Sequence, residues 1–413
     1  MNFIRGGKVW QWALGATFLV LVVNVILPSW SNGFPETLNT SVLRLIDNPT
    51  GDEWWRTHVS NPEFAKRPVV TTLQSTLHSI GVPYQLSFNL INYTALFCVI
   101  LLLYKVAGKF HQRPSGPLLV IATGMSFSIV FAFLGAMHTY DDFIQYICIL
   151  LALLLLLEHQ WIWSALILGI GMIARETTVL FLPMFLVYTW KYGTPSRLLN
   201  GVWVLPVLCY VTWLMLMDRT MLDQTVAFTL DGRFLGWKSN FANPQMTAET
   251  VSVIFMVVGL PCALLVARWK SLIQNHEHRL IALQVVFLII VNTILVSVAA
   301  ASREARLFFL PMIVLYPLLI KEASILLHAV RSAWRQPILT ITAISLAFAA
   351  GLFVYTPSLG GTGIVYKVYF IGYTTVFMLF IFGLLAQSKP ARRMVGIHFL
   401  NIRRRIGAQG VTG

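Results

Sequence analysis

Hydrophobic positions along the chain come in long runs broken by short polar stretches. A bilayer core needs about 20 apolar residues per helix. On that measure the runs predict twelve crossings, over 9–28, 85–107, 117–137, 143–157, 160–174, 177–190, 201–217, 251–267, 280–301, 306–320, 337–355 and 366–386. The expected fold is an all-α polytopic membrane protein: one transmembrane domain over 1–388 and a basic tail over 389–413. The runs over 143–157, 160–174 and 177–190 are short. The last two read either as two helices meeting at Arg175–Glu176 or as a single long tilted helix, which would reverse every later orientation.

Charge chooses between them. With Arg5 and Lys8 in the cytoplasm and twelve crossings, the cytoplasmic side collects 19 basic residues against three acids, Glu158, Glu277 and Glu322. The outer side holds the other 11 basic residues and 13 acids. The nets, +16 inside and −2 outside, sum to the +14 of the whole chain. Basic residues concentrate in cytoplasmic loops. Merging the two short runs would put the Lys321–Arg335 loop and the basic tail outside, so the two-helix reading is preferred.

Composition agrees. Of 413 residues 57% are hydrophobic and 11% charged, and the mean hydropathy is +0.73. An ordinary soluble domain carries about 25% charged residues, so a soluble enzyme is excluded, as are collagen-like, disulfide-scaffold and disordered chains. No soluble basic face points to nucleic acid. The four cysteines, Cys98, Cys148, Cys209 and Cys262, all lie in apolar runs and show no metal spacing. The first run, Val9 to Leu27, is long enough to span and lacks a small-residue cleavage site, so no cleaved signal is expected.

Two outer loops are long, over 29–84 and 218–250. The first holds the sequon Asn39-Thr40-Ser41, a pattern common by chance. The basic tail suits contact with lipid headgroups.

Thirteen of the sixteen acids fall on the outer side, most near helix ends, and they come in clusters. Asp52-Glu53-Trp54-Trp55 pairs carboxylates with two indoles, and Lys66-Arg67 follows downstream. Indole faces pack on sugar rings, a carboxylate accepts a hydroxyl proton, and the two cations suit a phosphate. The competing explanation is an interfacial tryptophan belt with ordinary loop charges. His138-Thr139-Tyr140-Asp141-Asp142 forms a short outer turn, where two aspartates near hydrocarbon are costly unless solvated or paired. They bind a cation, shape an acceptor pocket or cap the next helix; two aspartates and one histidine are few ligands for a metal.

Arg175-Glu-Thr-Thr-Val-Leu-Phe-Leu-Pro183-Met matches Arg303-Glu-Ala-Arg306-Leu-Phe-Phe-Leu-Pro311-Met at six of ten positions. Each opens an inward-running helix at the outer face, where backbone N–H groups favour an anion. An end-of-helix ion pair is the plainer alternative.

Together these features resemble the C-type (GT-C) glycosyltransferase superfamily, polytopic enzymes that use polyprenyl-phosphate-linked sugars. The resemblance rests on an uncleaved first helix, an outer loop with Asp52-Glu53, the Arg67-Pro68 step into an amphipathic segment, the Asp141-Asp142 turn before a Leu-rich span, and the Arg175-Glu176-Thr-Thr helix start. It covers about residues 9–190, and beyond them only the Arg303–Arg306 segment. It implies Asp52, with Glu53 as alternate, as general base in the first outer loop, and Asp141 or Asp142 at a second acidic position. Arg175, Arg303 and Arg306, with Lys66 and Arg67, would meet the donor phosphate, Trp54 and Trp55 the sugar. Inversion at the anomeric carbon follows from a single carboxylate base. A divalent metal stays open. Members often carry a large soluble C-terminal domain; none is legible here, which favours a lipid or glycan acceptor over a peptide. The expected setting is a multi-pass protein of a bacterial inner membrane, with both termini cytoplasmic, the active site extracytoplasmic, and no nucleic-acid partner. A transporter or flippase for a lipid-linked saccharide is the alternative, but it would place ionisable residues near mid-membrane. A non-catalytic membrane subunit is the third reading.

Overall fold

The computed structural model describes residues 9–31, 49–60, 65–111, 116–124, 126–130, 141–193, 201–217, 235–300, 305–354 and 363–387. The sequon at Asn39, His138, Tyr140, Arg303 and the basic tail lie outside the described residues. Every regular element among the described residues is helical. Among the described residues four helices are long and apolar enough to cross a membrane: Tyr84–Phe110, Pro244–Gln274, His278–Ala299 and Tyr366–Gln387. There are five if Met312–Leu319 and Ala323–Trp334 together count as one span. Shorter apolar helices fall on other expected crossings: Val9–Asn24, Asp142–Leu157, Trp161–Ala174, Val202–Leu216 and Pro337–Phe353.

The chain forms two compact units, Met1–Lys321 with Tyr355–Tyr366, and Glu322–Val354 with Lys367–Gly413. In the first, the central helices are α1 (Tyr84–Phe110), α2 (Asp142–Leu157), α3 (Trp161–Ala174) and α4 (Leu205–Leu216). Helix α2 packs along both α1 and α3, and α3 packs along α4. Their buried faces are aliphatic and aromatic, with Leu96, Leu103, Ile149, Leu153, Leu156, Ala165 and Leu168 all sealed from solvent. The chain is extended at Arg175 (φ −160°, ψ 123°), so the runs over 160–174 and 177–190 are two helices and not one. The second begins with a 3-10 turn, Glu176–Phe181, and continues as Leu182–Tyr192.

Polar contacts mark two ends of this unit. At one end Lys109 at the foot of α1 pairs with Glu158 after α2 at 2.9 Å. There too His111 meets the carbonyl of Leu318 through Nε2 at 3.0 Å and packs edge-on against His278. The opposite ends of α1 and α2 start at Tyr84 and Asp142. Lys109 and Glu158 therefore share an end, and Asp142 and Arg175 share the other.

The Pro244–Gln274 helix contains a π-turn, Phe255–Gly259, immediately before Pro261. Proline lacks an N–H and its ring crowds the carbonyl four residues back, so the helix widens there.

In the second unit, Ala333, Ala343 and Leu379 form a core surrounded by Val330, Leu339, Met378 and Phe382. Gly383 lies directly on the Ala329 carbonyl, where any Cβ would overlap the backbone. Small residues permit such close helix approach.

Candidate functional site

The site is built where α2 begins and α3 ends. Asp142, Gln145 and Tyr146 stand at i, i+3 and i+4 and therefore share one face of α2. Gln145 donates from Nε2 to the hydroxyls of Thr177 (2.8 Å) and Thr178 (3.0 Å). Thr178 in turn donates to the Gly171 carbonyl at 2.9 Å, which also receives the Arg175 N–H at 2.8 Å. Gly171 makes this possible. A Cβ there would come within 2.9 Å of Cys148 Cβ and 3.1 Å of Thr178 Cγ2. The end of α3 is thus pinned to α2, and Arg175 is directed at its first turn.

Asp142 is the hub. It is 2% exposed, and its Oδ1 accepts a short hydrogen bond from Arg175 Nη1. Its Oδ2 faces Arg306 Nε at 3.0 Å, an ion pair not aligned as a hydrogen bond. A buried carboxylate keeps its charge only when paired, and two guanidinium groups supply the pairing here.

Arg306 arrives from a second 3-10 turn, Ala305–Phe309, which leads into Met312–Leu319. Its carbonyl accepts from the Tyr146 hydroxyl at 3.0 Å, and the neighbouring Leu307 carbonyl accepts from Asn292 Nδ2 at 2.9 Å. Over their described residues the two similar segments each run from a 3-10 turn into a helix near Pro183 or Pro311. Arg306 nonetheless aligns in sequence with Thr178, so the two arginines on Asp142 are not equivalent positions of the repeat.

A second ion group adjoins the first. Arg67 donates from Nε and Nη2 to both oxygens of Glu176, at 2.9 and 2.6 Å. Lys66 Nζ adds a contact at 3.3 Å. Forked pairing of this kind suits the planar guanidinium. Burial pushes the Glu176 carboxyl up, but the Arg67 charge and hydrogen bonds, helped by Lys66, outweigh it and hold the group well below the usual carboxylate range. The Lys66 carbonyl accepts from Trp213 Nε1 at 2.9 Å, which fastens the Lys66–Arg67 stretch to α4.

Asp141 stands between the two groups. It is 2% exposed, and its Oδ1 has no hydrogen-bond partner. Burial raises its pKa to about 7; Arg67 and Arg175 pull it down, and Asp142 and Glu176 push it up. It adopts the N-cap position of α2 without making a side-chain cap bond.

The first-loop residues lie on a separate helix, Pro49–Ser60, that packs on α1 and on Pro68–Ser79. Asp52 and Glu53 are exposed on it. The charge of Asp52 acts on Tyr84 at the start of α1. Trp55 stacks on Tyr84 (ring centroids 4.8 Å) and donates from Nε1 to Ser75 Oγ at 3.0 Å; Tyr84 stacks in turn on His78 at 3.8 Å. One face of Trp55 is thereby committed to the protein. The Trp54 side chain and Arg303 lie outside the described residues.

Of the residues singled out in the sequence, Lys66, Arg67, Asp141, Asp142, Arg175 and Arg306 come together, while Asp52 and Trp55 lie by Tyr84 and Glu53 is exposed on the same helix. Sequence reading missed Glu176 as the partner of Lys66 and Arg67, and missed Gln145 and Tyr146. The i, i+3, i+4 spacing of Asp142, Gln145 and Tyr146 was the available signal. Among the described residues no group of three or more His, Cys, Asp or Glu side chains could hold a metal ion. Both Asp142 oxygens already face arginines. Comparison of the chain with family models, curated proteins and solved structures gives no match.

Proposed function

We propose that the chain is a polytopic membrane glycosyltransferase. It moves a sugar from a polyprenyl-phosphate-linked donor to a lipid or glycan acceptor, with inversion. The supporting observation is the buried hub in which Asp142 holds Arg175 and Arg306 side by side, next to Lys66 and Arg67. A guanidinium carries five N–H donors. That fork suits a phosphate as well as a carboxylate. Cations held in place before the reaction stabilise the charge that develops on a leaving phosphate without reorganising.

In this reading the helices cross a bacterial inner membrane twelve times, both termini are cytoplasmic, and the Asp142 end faces outward. The donor tail stays among lipids while its phosphate and sugar reach the hub. Arg175, Arg306, Lys66 and Arg67 take the phosphate, and a carboxylate takes the acceptor proton; the GT-C resemblance assigns that carboxylate to Asp52, with Glu53 as alternate. Trp54 and Trp55 border the sugar. The charged groups gather at a helix end and not mid-span, which favours transfer over transport of a lipid-linked saccharide.

The test is reconstitution of the full chain in lipid nanodiscs with radiolabelled polyprenyl-phosphate-linked hexoses and pentoses and a bacterial membrane lipid extract as acceptor. Label should move to the extract and polyprenyl phosphate should accumulate. Vesicle-to-vesicle movement of intact donor without transfer would select the transporter instead.

A further inference from the structure

Among the described residues the hub contains three carboxylates, and two of them are ion-paired. Asp142 is engaged by Arg175 and Arg306, Glu176 by Arg67 and Lys66. A carboxylate locked between cations is a poor proton acceptor, because each positive neighbour favours its ionised form. Asp141 is different. It is as buried as Asp142, and its Oδ1, like Asp142 Oδ2, carries no hydrogen-bond partner, but Asp142 Oδ2 has Arg306 Nε at 3.0 Å. Buried polar atoms in folded proteins are almost always satisfied, and an exception calls for a ligand or a chemical role.

We infer that Asp141, rather than the first-loop Asp52, accepts the proton of the acceptor hydroxyl, with Oδ1 as the receiving atom. This rests on the transferase reading above. The acceptor oxygen forms a bond to the anomeric carbon as the bond from that carbon to the phosphate oxygen breaks. The electron pair leaves with the phosphate, which departs on the polyprenyl chain, and the hydroxyl proton passes to Asp141 Oδ1.

The surroundings suit that task. Arg67 faces Asp141 from the stretch before Pro68–Ser79, Arg175 from the end of α3, Glu176 from the first 3-10 turn and Asp142 from its own helix. Arg306 reaches the same hub from the second 3-10 turn, through Asp142, and the Tyr146 hydroxyl is spent on the Arg306 carbonyl. Burial is the largest influence on Asp141; the two cations pull against it and the two anions add to it. A buried carboxyl titrating near neutral pH is well matched to general-base work. Asp52 is exposed on its own helix.

The experiment is the pH profile of transfer by the full chain in nanodiscs, with a radiolabelled polyprenyl-phosphate-linked hexose and the membrane lipid extract as probes. Wild-type kcat should rise with pH on a limb centred near neutrality. Asp141→Asn should lower kcat by about 10²-fold or more with donor KM little changed, as expected for a lost general base. Asp141→Glu should restore part of the rate with a displaced limb. Near-wild-type kcat in Asp141→Asn, or a wild-type rate flat between about pH 5 and pH 8, would overturn the inference while leaving the transferase reading intact. If Asp141→Asn does not fold, Asp141→Glu and the wild-type profile decide alone; an unmoved limb in Asp141→Glu counts against Asp141. A folded wild type inert on every sugar probe removes both readings together.

Discussion

Asp142 and Arg306, far apart along the chain, meet at 3.0 Å in a site where the aspartate is 2% exposed. This contact ties the second 3-10 turn to the first turn of α2, and with it the later helices of the unit to the earlier ones. Removing one partner of a buried pair leaves an uncompensated charge and costs about 3–5 kcal/mol. Asp142→Ala should therefore lower the thermal unfolding temperature of the detergent-solubilised protein sharply. Combining Asp142→Asn with Arg306→Gln should cost less than the sum of the single changes, as read by a double-mutant cycle.

The raised pKa of Asp141 has a consequence for stability. A group that holds its proton more tightly when folded stabilises the fold at low pH. That contribution is lost as pH rises from the ordinary aspartate value of about 4 to the folded value of about 7, and nothing further changes above it. Wild type should become less stable over that window. Asp141→Asn should lack the slope and be the more stable protein at pH 8, measured by thermal unfolding across buffers.

Glu176 behaves in the opposite sense. Its carboxyl is held low in the fold by Arg67 and Lys66 against the pull of burial. Its contribution is present above the unfolded carboxylate value and lost as pH falls through the folded one. Glu176→Gln should destabilise at neutral pH by about 1–3 kcal/mol, and the deficit should shrink in strong acid. The effect should be smaller than at Asp142 because the Glu176 side chain is 30% exposed.

Gly171 sets how closely α3 approaches α2. With Cys148 Cβ at 2.9 Å and Thr178 Cγ2 at 3.1 Å from any added Cβ, Gly171→Ala must separate the helices. Overpacking of this kind costs roughly 1–3 kcal/mol. Because Arg175 hangs from the same turn, transfer should fall further than stability alone predicts, measured as kcat at a temperature where the variant is folded.

Trp55→Phe keeps a ring on Tyr84 but deletes the donor to Ser75. The loss should be modest, about 1 kcal/mol, and should be seen as faster proteolysis of the Pro49–Ser60 helix. Loss of donor binding on the same scale in Trp55→Phe would argue for contact between the indole and sugar.

The helical nature of the chain was legible without coordinates, because unbroken apolar runs leave the backbone only itself to hydrogen-bond with in a bilayer. The break between 160–174 and 177–190 was legible too, though only through charge. In the fold Lys109 meets Glu158 at one end of α2 and Arg175 meets Asp142 at the other. The repeated Leu-Pro step falls in both places where a 3-10 turn leads into a helix.

What the sequence could not supply was the pairing. It named Arg175, Arg303 and Arg306 together, with no sign that Arg175 and Arg306 would meet on Asp142. It read Lys66 and Arg67 as phosphate ligands, with no sign that Glu176 would hold them. It treated Asp141 and Asp142 as one acidic pair. The fold separates them, giving Asp142 two cations and leaving Asp141 Oδ1 without a donor. Hydrophobic periodicity is local and survives in one dimension. Which charge meets which is decided by helix packing across long stretches of chain, and by how much water that packing excludes, so only the tertiary structure could distinguish two adjacent aspartates.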